Sequence, residues 1–404
     1  MKRVGIFGGS FNPVHTGHLR AAECAVEALR LDCLLFLPAS RVPGKAEPMD
    51  APNPRQRMEM LQLALDSCAE PRFAISSLEL DSAEPLYTYQ SLREIRRQYP
   101  DAELFLLLGS DQLQKFPDWK CADEIMQNVT LAVLSRGGKR EQDRLLAQKQ
   151  ELEFQGGRVI LLANPVTDIS STQLRRLLVF GCGSAFLPEG VEDYIRGNGL
   201  YGTSGDYRRL PMDALEQAVI RLLNPNRVAH VLGCRDTAVE MARRWGADET
   251  DAARAGILHD ITKALDGPLQ LTLCAEYGTI LDDFSRRYPK TLHALTGSLV
   301  AERIFGESSA VVEAIRHHTT GKANMNTLEK IIYVADYMEP NRDFPGVDKL
   351  RQLAFTDLDA ALRYGLEMTL EHLKRQGSEV SPESREALAW CRQNSLEYSR
   401  KDKE

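Results

Sequence analysis

Val4-Gly5-Ile6-Phe7-Gly8-Gly9-Ser10-Phe11-Asn12-Pro13-Val14-His15-Thr16-Gly17-His18 is the stretch whose reading decides the fold class of the first half of the chain. The apolar run from Val4 to Phe7 predicts a strand, and the paired glycines end it. Leu19, Ala22, Val26 and Leu29 then recur at helical spacing, so the strand feeds a helix through a glycine-rich turn. Glycines let backbone N–H groups approach an anion, and the positive end of the helix dipole favours phosphate there. His15 and His18 stand three residues apart, the spacing of one helical face, so both can donate to the same polyphosphate. They are the only histidines before residue 230.

The same alternation continues outward from this turn. Leu34 to Leu37, Leu104 to Leu108, Thr130 to Leu134 and Val159 to Leu162 read as further strands separated by helical patterns. Over residues 1–203 this predicts an α/β domain, a parallel sheet wrapped by helices. Gly202-Thr203-Ser204-Gly205-Asp206 is small and polar, the composition of a domain boundary. After it the period changes. Val228, Val231, Leu232, Val239, Ala242 and Trp245, then Val311, Val312, Ile315, Leu328, Ile331, Ile332 and Ala335, follow helical spacing, so residues 212–375 read as all-helical. Residues 376–404 read as a charge-rich tail with a weak helical pattern from Glu383 to Leu396 and no assigned function.

Bulk properties agree with two cores. At 404 residues the chain exceeds the size at which one core keeps growing, and 43% hydrophobic with 26% charged residues is a globular composition. A net charge of -7 argues against a general grip on nucleic acid and points to small-molecule partners. The absence of a leader-like segment or of an apolar run near the roughly 20 residues of a bilayer span leads us to expect a cytoplasmic location and no membrane partner. The eight cysteines form no C-x-x-C pair, which favours free thiols over zinc or redox chemistry.

Further motifs follow the first in order: Leu86-Tyr87-Thr88, Gly109-Ser110-Asp111, Phe116-Pro117-Asp118-Trp119 and Ile169-Ser170-Ser171-Thr172-Gln173-Leu174-Arg175. Alone, Ser170-Ser171-Thr172 reads as a helix N-cap. As an ordered set with the histidine turn, these motifs resemble the bacterial nicotinate mononucleotide adenylyltransferases of the H-x-G-H nucleotidyltransferase superfamily, over residues 1–201. The resemblance implies a Rossmann-like fold, ATP and nicotinate mononucleotide as substrates, and Mg²⁺ as cofactor. It implies that Gly8, Gly9, Ser10, Phe11, His15, His18, Lys45, Gly109, Asp111, Ser170, Ser171, Thr172 and Arg175 hold ATP and its phosphates, with His15 and His18 catalytic. It assigns the pyridine nucleotide to Tyr87, Thr88, Trp119 and Arg136. Those types suit the chemistry, because nucleotidyl transfer needs donors that stabilise charge in an in-line transition state. Two departures stand out: Arg41-Val42-Pro43-Gly44-Lys45 keeps the lysine but lacks the histidine of the usual Asn-Pro-Pro-His-Lys, and Arg136-Gly137-Gly138 replaces Arg-Pro-Gly. A pantetheine-phosphate or cytidylyl transferase would share the histidines but not Tyr87-Thr88 and Trp119.

Beyond residue 229 the histidines gather with aspartates in the order His230, His259-Asp260, His293, His317-His318, Asp336. Imidazole with carboxylate suits first-row transition metals, and an aspartate can bridge two ions, so the pattern points to a dinuclear site. The order resembles the HD-domain phosphohydrolases. Leu258 to Lys263, His317 to Gly321 and Ala335 to Arg342 are similar to the YqeK-type symmetrical diadenosine tetraphosphate hydrolases. That resemblance implies metal ligation by His230, His259, Asp260, His293, His317 and Asp336, with iron as the metal and Asp260 catalytic. His318, Lys263 and Arg342 are then expected to face substrate phosphate. The alternatives for this half are an HD hydrolase of another nucleotide and a non-catalytic nucleotide sensor. His372 fits no part of the pattern.

Overall fold

The computed structural model describes residues 1–40, 50–135, 139–163 and 169–401, and the chain divides into two compact units, Met1–Gly205 and Asp206–Glu404. Lys45 and Arg136 lie outside the described residues.

In the first unit β1 (Arg3–Gly9), α1 (Thr16–Ala28), β2 (Cys33–Pro38), α2 (Pro54–Cys68), β3 (Phe73–Ile75), α3 (Thr88–Gln98), β4 (Glu103–Gly109), α4 (Ser110–Lys115), α5 (Ala122–Asn128), β5 (Thr130–Leu134), α6 (Lys139–Phe154), β6 (Val159–Leu162), α7 (Ser171–Val179) and α8 (Val191–Gly197) follow in order. The strands form one parallel sheet, β3-β2-β1-β4-β5-β6. The expected α/β class is what the structure shows. Central strands of such a sheet are covered on both faces, hence the continuous apolar run of Leu104 to Leu108, all buried. Only β3 lacked a sequence signal: three half-buried residues on an edge carry no period to read. The strand order reverses between β1 and β4, and in open α/β sheets the crevice at such a switch point, beyond the carboxyl ends of the strands, is where ligands bind. The glycine turn leaves β1 there, and Asp111 follows β4.

The second unit is helical among the described residues: α9 (Met212–Leu222), α10 (Val228–Trp245), α11 (Glu249–Leu258), α12 (Gly267–Glu276), α13 (Asp283–Arg287), α14 (Leu292–Arg303), α15 (Ser309–His317), α16 (Thr327–Met338), α17 (Val347–Thr356), α18 (Leu358–Arg375) and α19 (Pro382–Lys401). α16 buries Leu328, Ile331, Ile332, Tyr333, Val334, Ala335 and Met338, apolar on nearly every side, as the central helix of a bundle must be. α10 and α11 approach closely: a Cβ on Gly256 would lie 2.7 Å from Arg235 Cα, so only glycine fits. The C-terminal segment is more than a solvated tail. α19 packs on α18 and buries Ala387, Leu388 and Cys391. No described helix is long and apolar enough to cross a membrane.

Candidate functional sites

In the first unit the turn after β1 is built largely by polar contacts to its backbone. Arg57 donates to the Ser10, Ala39 and Ser40 carbonyls, and Arg175 donates to the Asn12 carbonyl at 2.6 Å. The Ser171 hydroxyl donates to the Pro13 carbonyl at 3.1 Å, and the Tyr201 hydroxyl to Asn12 Oδ1 at 2.6 Å. The Asn12–Pro13 peptide is cis. These contacts bring the N-terminus of α7, with Ser170 as its N-cap, against the turn that starts α1. Two helix N-termini thus converge, and both favour negative charge. His15 is the N-cap of α1, and its ring lies 3.7 Å from that of His18, centroid to centroid. His18 Nδ1 accepts the His15 backbone N–H at 3.1 Å. The neutral ring must then carry its proton on Nε2, which makes Nε2 a donor. Phe11 packs edge-on against His18 and fixes its plane.

The residues assigned to the pyridine ring are positioned as follows. Thr88 opens α3, and Tyr87, its N-cap, is half exposed with the Lys120 ammonium 4.3 Å above its ring. Trp119 precedes that lysine and packs on Phe116. Asp111 stands in the first turn of α4.

In the second unit, five of the predicted residues converge together with His318. His230 comes from α10, His293 from α14 and Asp336 from α16. His259 and His318 cap the C-termini of α11 and α15, and Asp260 follows in a turn. Every ring is held in the same sense. Nδ1 faces Glu339 Oε1 in His230, and the Gly256, Lys290 and Ile315 carbonyls in His259, His293 and His318, at 2.7 to 3.1 Å. Each therefore donates through Nδ1 and turns the Nε2 lone pair inward. His230 Nε2 lies 3.3 Å from His259 Nε2 and 3.1 Å from Asp336 Oδ1. Asp260 Oδ2 is 3.5 Å from His259 Nε2, while its Oδ1 is 3.5 Å from His293 Nε2 and 3.8 Å from His318 Nε2.

Lone pairs facing one another at these distances repel unless a cation stands between them. Two donors each about 2.1 Å from one metal ion are separated by about 3 to 3.5 Å, so the donor set fits a metal. Asp260 offers one oxygen to each end of the cluster, as a bridging carboxylate would. Burial lowers the pKa of His259 and His293 well below the ordinary value and pushes His318 down to about 4. All three are neutral, ligand-competent imidazoles at pH 7. Burial opposes the Asp336 charge, but its neighbours, the Arg342 guanidinium among them, outweigh it and hold that carboxyl well below the carboxylate range.

Two expectations are corrected here. His317, expected as a ligand, points away: its Nε2 lies 3.4 Å from Glu313 Oε2, and it belongs to none of the candidate metal clusters. His318, expected to face substrate phosphate, takes the inward place. Adjacent residues at a helix end project about 100° apart, so only one of the pair can face the cluster. Lys263 and Arg342 lie beside the ligands. Lys263 Nζ is 2.8 Å from His293 Nε2, and burial pushes its ammonium down to about 8. Arg342 donates to Asp336 Oδ1 at 2.8 Å.

Sequence reasoning missed two members of this site. Arg227 pairs with buried Asp260, and its spacing of three from His230 was the available signal. Glu339, fully buried, orients His230 through Oε1 while Oε2 accepts from the Asn341 backbone and side chain at 2.7 and 2.8 Å. A Cβ on Gly233 would stand 2.4 Å from that Oε2, so the glycine makes room for the carboxylate.

Comparison with known proteins separates the halves in the same way. The Cytidylyltransferase-like family pattern matches residues 6–177, and the HD domain pattern matches residues 227–341. A Thermus thermophilus protein named "Probable nicotinate-nucleotide adenylyltransferase" is 40% identical over 200 residues, 49% of this chain and 99% of the relative. The chain belongs to the nicotinate-nucleotide adenylyltransferase family. Within that family it carries the added HD domain. A Mycoplasma pneumoniae protein named "Probable nicotinate-nucleotide adenylyltransferase/Ap4A hydrolase" is 28% identical over 377 residues, 91% of this chain and 98% of the relative. A crystal structure of a predicted HD superfamily hydrolase involved in NAD metabolism from Clostridium acetobutylicum matches 46% of this chain and 98% of its own, at 36% identity and a TM-score of 0.45.

Proposed function

We propose that the chain is a bifunctional enzyme: it transfers an adenylyl group from ATP to nicotinate mononucleotide, and it hydrolyses diadenosine tetraphosphate symmetrically to two ADP. The first activity rests on the joining of the α1 and α7 N-termini by Ser171 and Arg175 beside His15 and His18. A phosphate oxygen of the mononucleotide attacks the α-phosphorus of ATP, the bond to the β-phosphate bridging oxygen breaks, and pyrophosphate leaves. His18 Nε2–H donates to the phosphate oxygens on which charge develops. Ser170, Ser171 and Thr172 add neutral donors, and Arg175 holds the turn and adds charge. Tyr87, Thr88 and Trp119 hold the pyridine ring, and Lys45 and Arg136 complete the phosphate and mononucleotide contacts. Mg²⁺ would travel with the ATP phosphates and neutralise part of their charge.

The second activity rests on four inward Nε2 atoms facing two aspartates. His230, His259, Asp260 and Asp336 would hold one transition-metal ion, and Asp260, His293 and His318 a second, with iron as the expected element. Such a pair would polarise a phosphoryl group and lower the pKa of a bound water. Arg227, Lys263 and Arg342 offset the anionic charge of the polyphosphate, and Glu339 holds His230 in the ligating tautomer. Water adds to a β-phosphorus and the central bridging oxygen leaves with the other half, so two ADP form. Product analysis of the purified chain tests both activities. ATP with nicotinate mononucleotide should give deamido-NAD and pyrophosphate, and diadenosine tetraphosphate should give ADP alone, suppressed by chelator. AMP plus ATP would refute central cleavage, and no turnover with iron, manganese or cobalt supplied would restore the sensor reading.

A further inference from the structure

The two ends of the His/Asp cluster differ in what reaches their ring nitrogens. At the end formed by His230 and His259 the two Nε2 atoms face each other at 3.3 Å, and the nearby guanidiniums pair with carboxylates, Arg227 with Asp260 and Arg342 with Asp336. At the end formed by His293 and His318, a lysine and a hydroxyl reach the nitrogens themselves. Lys263 Nζ lies 2.8 Å from His293 Nε2 and 3.9 Å from Asp260 Oδ1. Thr319 Oγ1 lies 3.1 Å from both His293 Nε2 and His318 Nε2. Lys263 sits in the turn that also carries Asp260, and Thr319 in the turn that carries His318.

A neutral imidazole protonated on Nδ1 has one lone pair, on Nε2 in the plane of the ring. Nδ1 of His293 and of His318 each faces a carbonyl, that of Lys290 at 2.9 Å and that of Ile315 at 2.7 Å, so each ring has only its Nε2 lone pair to offer a ligand. Lys263 carries donors alone, and its contact with His293 Nε2 uses that lone pair. The Thr319 hydroxyl has a single proton, which then goes to His318 Nε2. Both lone pairs that an ion at this end would need are thus engaged. We propose that Lys263, assisted by Thr319, is a built-in competitor for the second metal position: an ion there and the hydrogen bond from Lys263 to His293 exclude each other, so the cluster holds one ion firmly and a second only when the lysine withdraws. Withdrawal is open to it, because 39% of the Lys263 side chain is exposed, whereas Asp260 is buried. The inference rests on the metal reading of the cluster given above, but it concerns binding and is tested without turnover.

The test is calorimetric titration of the chelator-stripped full-length protein with Co²⁺ in the absence of nucleotide, with bound cobalt counted by elemental analysis. Wild type is expected to take one ion tightly and a second at least about tenfold more weakly. Lys263→Met keeps the length of the stem and removes the donor. It is expected to tighten the second step about tenfold, the scale for one hydrogen bond made by a charged group, and to leave the first step unchanged. Lys263→Arg keeps a donor and should keep the second step weak. A lysine with a purely structural role would not move one step alone. Two equal steps in wild type, or a second step that Lys263→Met leaves as it was or weakens, overturns the competition while the metal reading stands. If neither wild type nor variant binds cobalt, the metal reading falls and the competition falls with it. Should Lys263→Met fail to fold, Thr319→Val decides: losing the hydroxyl should also tighten the second step, and no change there overturns the proposal.

Discussion

The two candidate sites are built by opposite means. In the first unit the site is a turn and two helix N-termini, held by hydrogen bonds from Arg57, Ser171, Arg175 and Tyr201 to main-chain or amide oxygens. In the second, the site is a knot of buried imidazoles and carboxylates whose inward atoms lie at distances that could hold a metal ion. The contrast follows from the scaffolds. A parallel sheet ends in loops whose backbone N–H groups are available, so neutral donors are plentiful at its carboxyl edge. A helical bundle has its backbone satisfied within the helices, so its interior offers side chains, and here those are imidazoles and carboxylates.

Breaking the metal side should have the largest effect. Asp260→Ala removes a carboxylate that faces both ends of the cluster, so hydrolysis and most bound metal should disappear while adenylyl transfer persists. Metal analysis together with both assays checks this, and a variant retaining full metal content would contradict the bridging role.

On the other side, His18→Ala should lower adenylyl transfer by roughly 10² to 10³, the scale for one preorganised donor to transition-state charge, and spare hydrolysis. Transfer at the wild-type rate would remove His18 from the mechanism.

The supporting carboxylate comes next. Glu339→Ala should weaken metal binding about 10- to 100-fold, the cost of freeing a ligating histidine, whereas Glu339→Gln keeps an acceptor for His230 and should lose less. His318→Ala should likewise lose metal and His317→Ala should not. The reverse order for that pair would overturn the placement seen here.

For the pyridine side, Trp119→Ala should raise KM for the mononucleotide about tenfold and for ATP much less, since a stacked ring contributes on the order of 1 kcal/mol. Equal shifts for both substrates would point to packing alone.

The smallest change is a slope in stability with pH. Burial keeps His259, His293 and His318 neutral in the metal-free fold, with His318 pushed down to about 4. The unfolded chain, with histidines near pKa 6.5, takes up protons that the fold refuses. Stability of the second unit is therefore complete above about pH 6.5 and is lost as pH falls toward 4. Denaturant midpoints of the metal-free protein should fall from pH 7.5 to pH 5, and less so in His318→Asn. A midpoint rising with acidity would exclude neutral buried rings.

Much of this molecule was legible before any coordinates. Strand-to-helix alternation predicted the parallel sheet because residues buried on both faces must be apolar in continuous runs, and the shift to helical spacing after Pro211 predicted the bundle. The histidine turn was legible because its chemistry is local: turn, cap and donors lie within eleven residues. The His/Asp cluster was legible in outline from histidines and aspartates recurring on a helical background, but not which of His317 and His318 would join it.

What only the tertiary structure decided is direction. His317 and His318 are indistinguishable in the sequence, but α15 ends so that one faces His259 and His293 and the other faces Glu313. Glu339 and His230 stand 109 residues apart, and nothing local in either says that one will hold the other's tautomer. The sequence determines which groups are present and which helical face each occupies. How the faces turn toward one another depends on where each helix ends and how closely its neighbours approach, as at Gly256, and those are properties of the packed core.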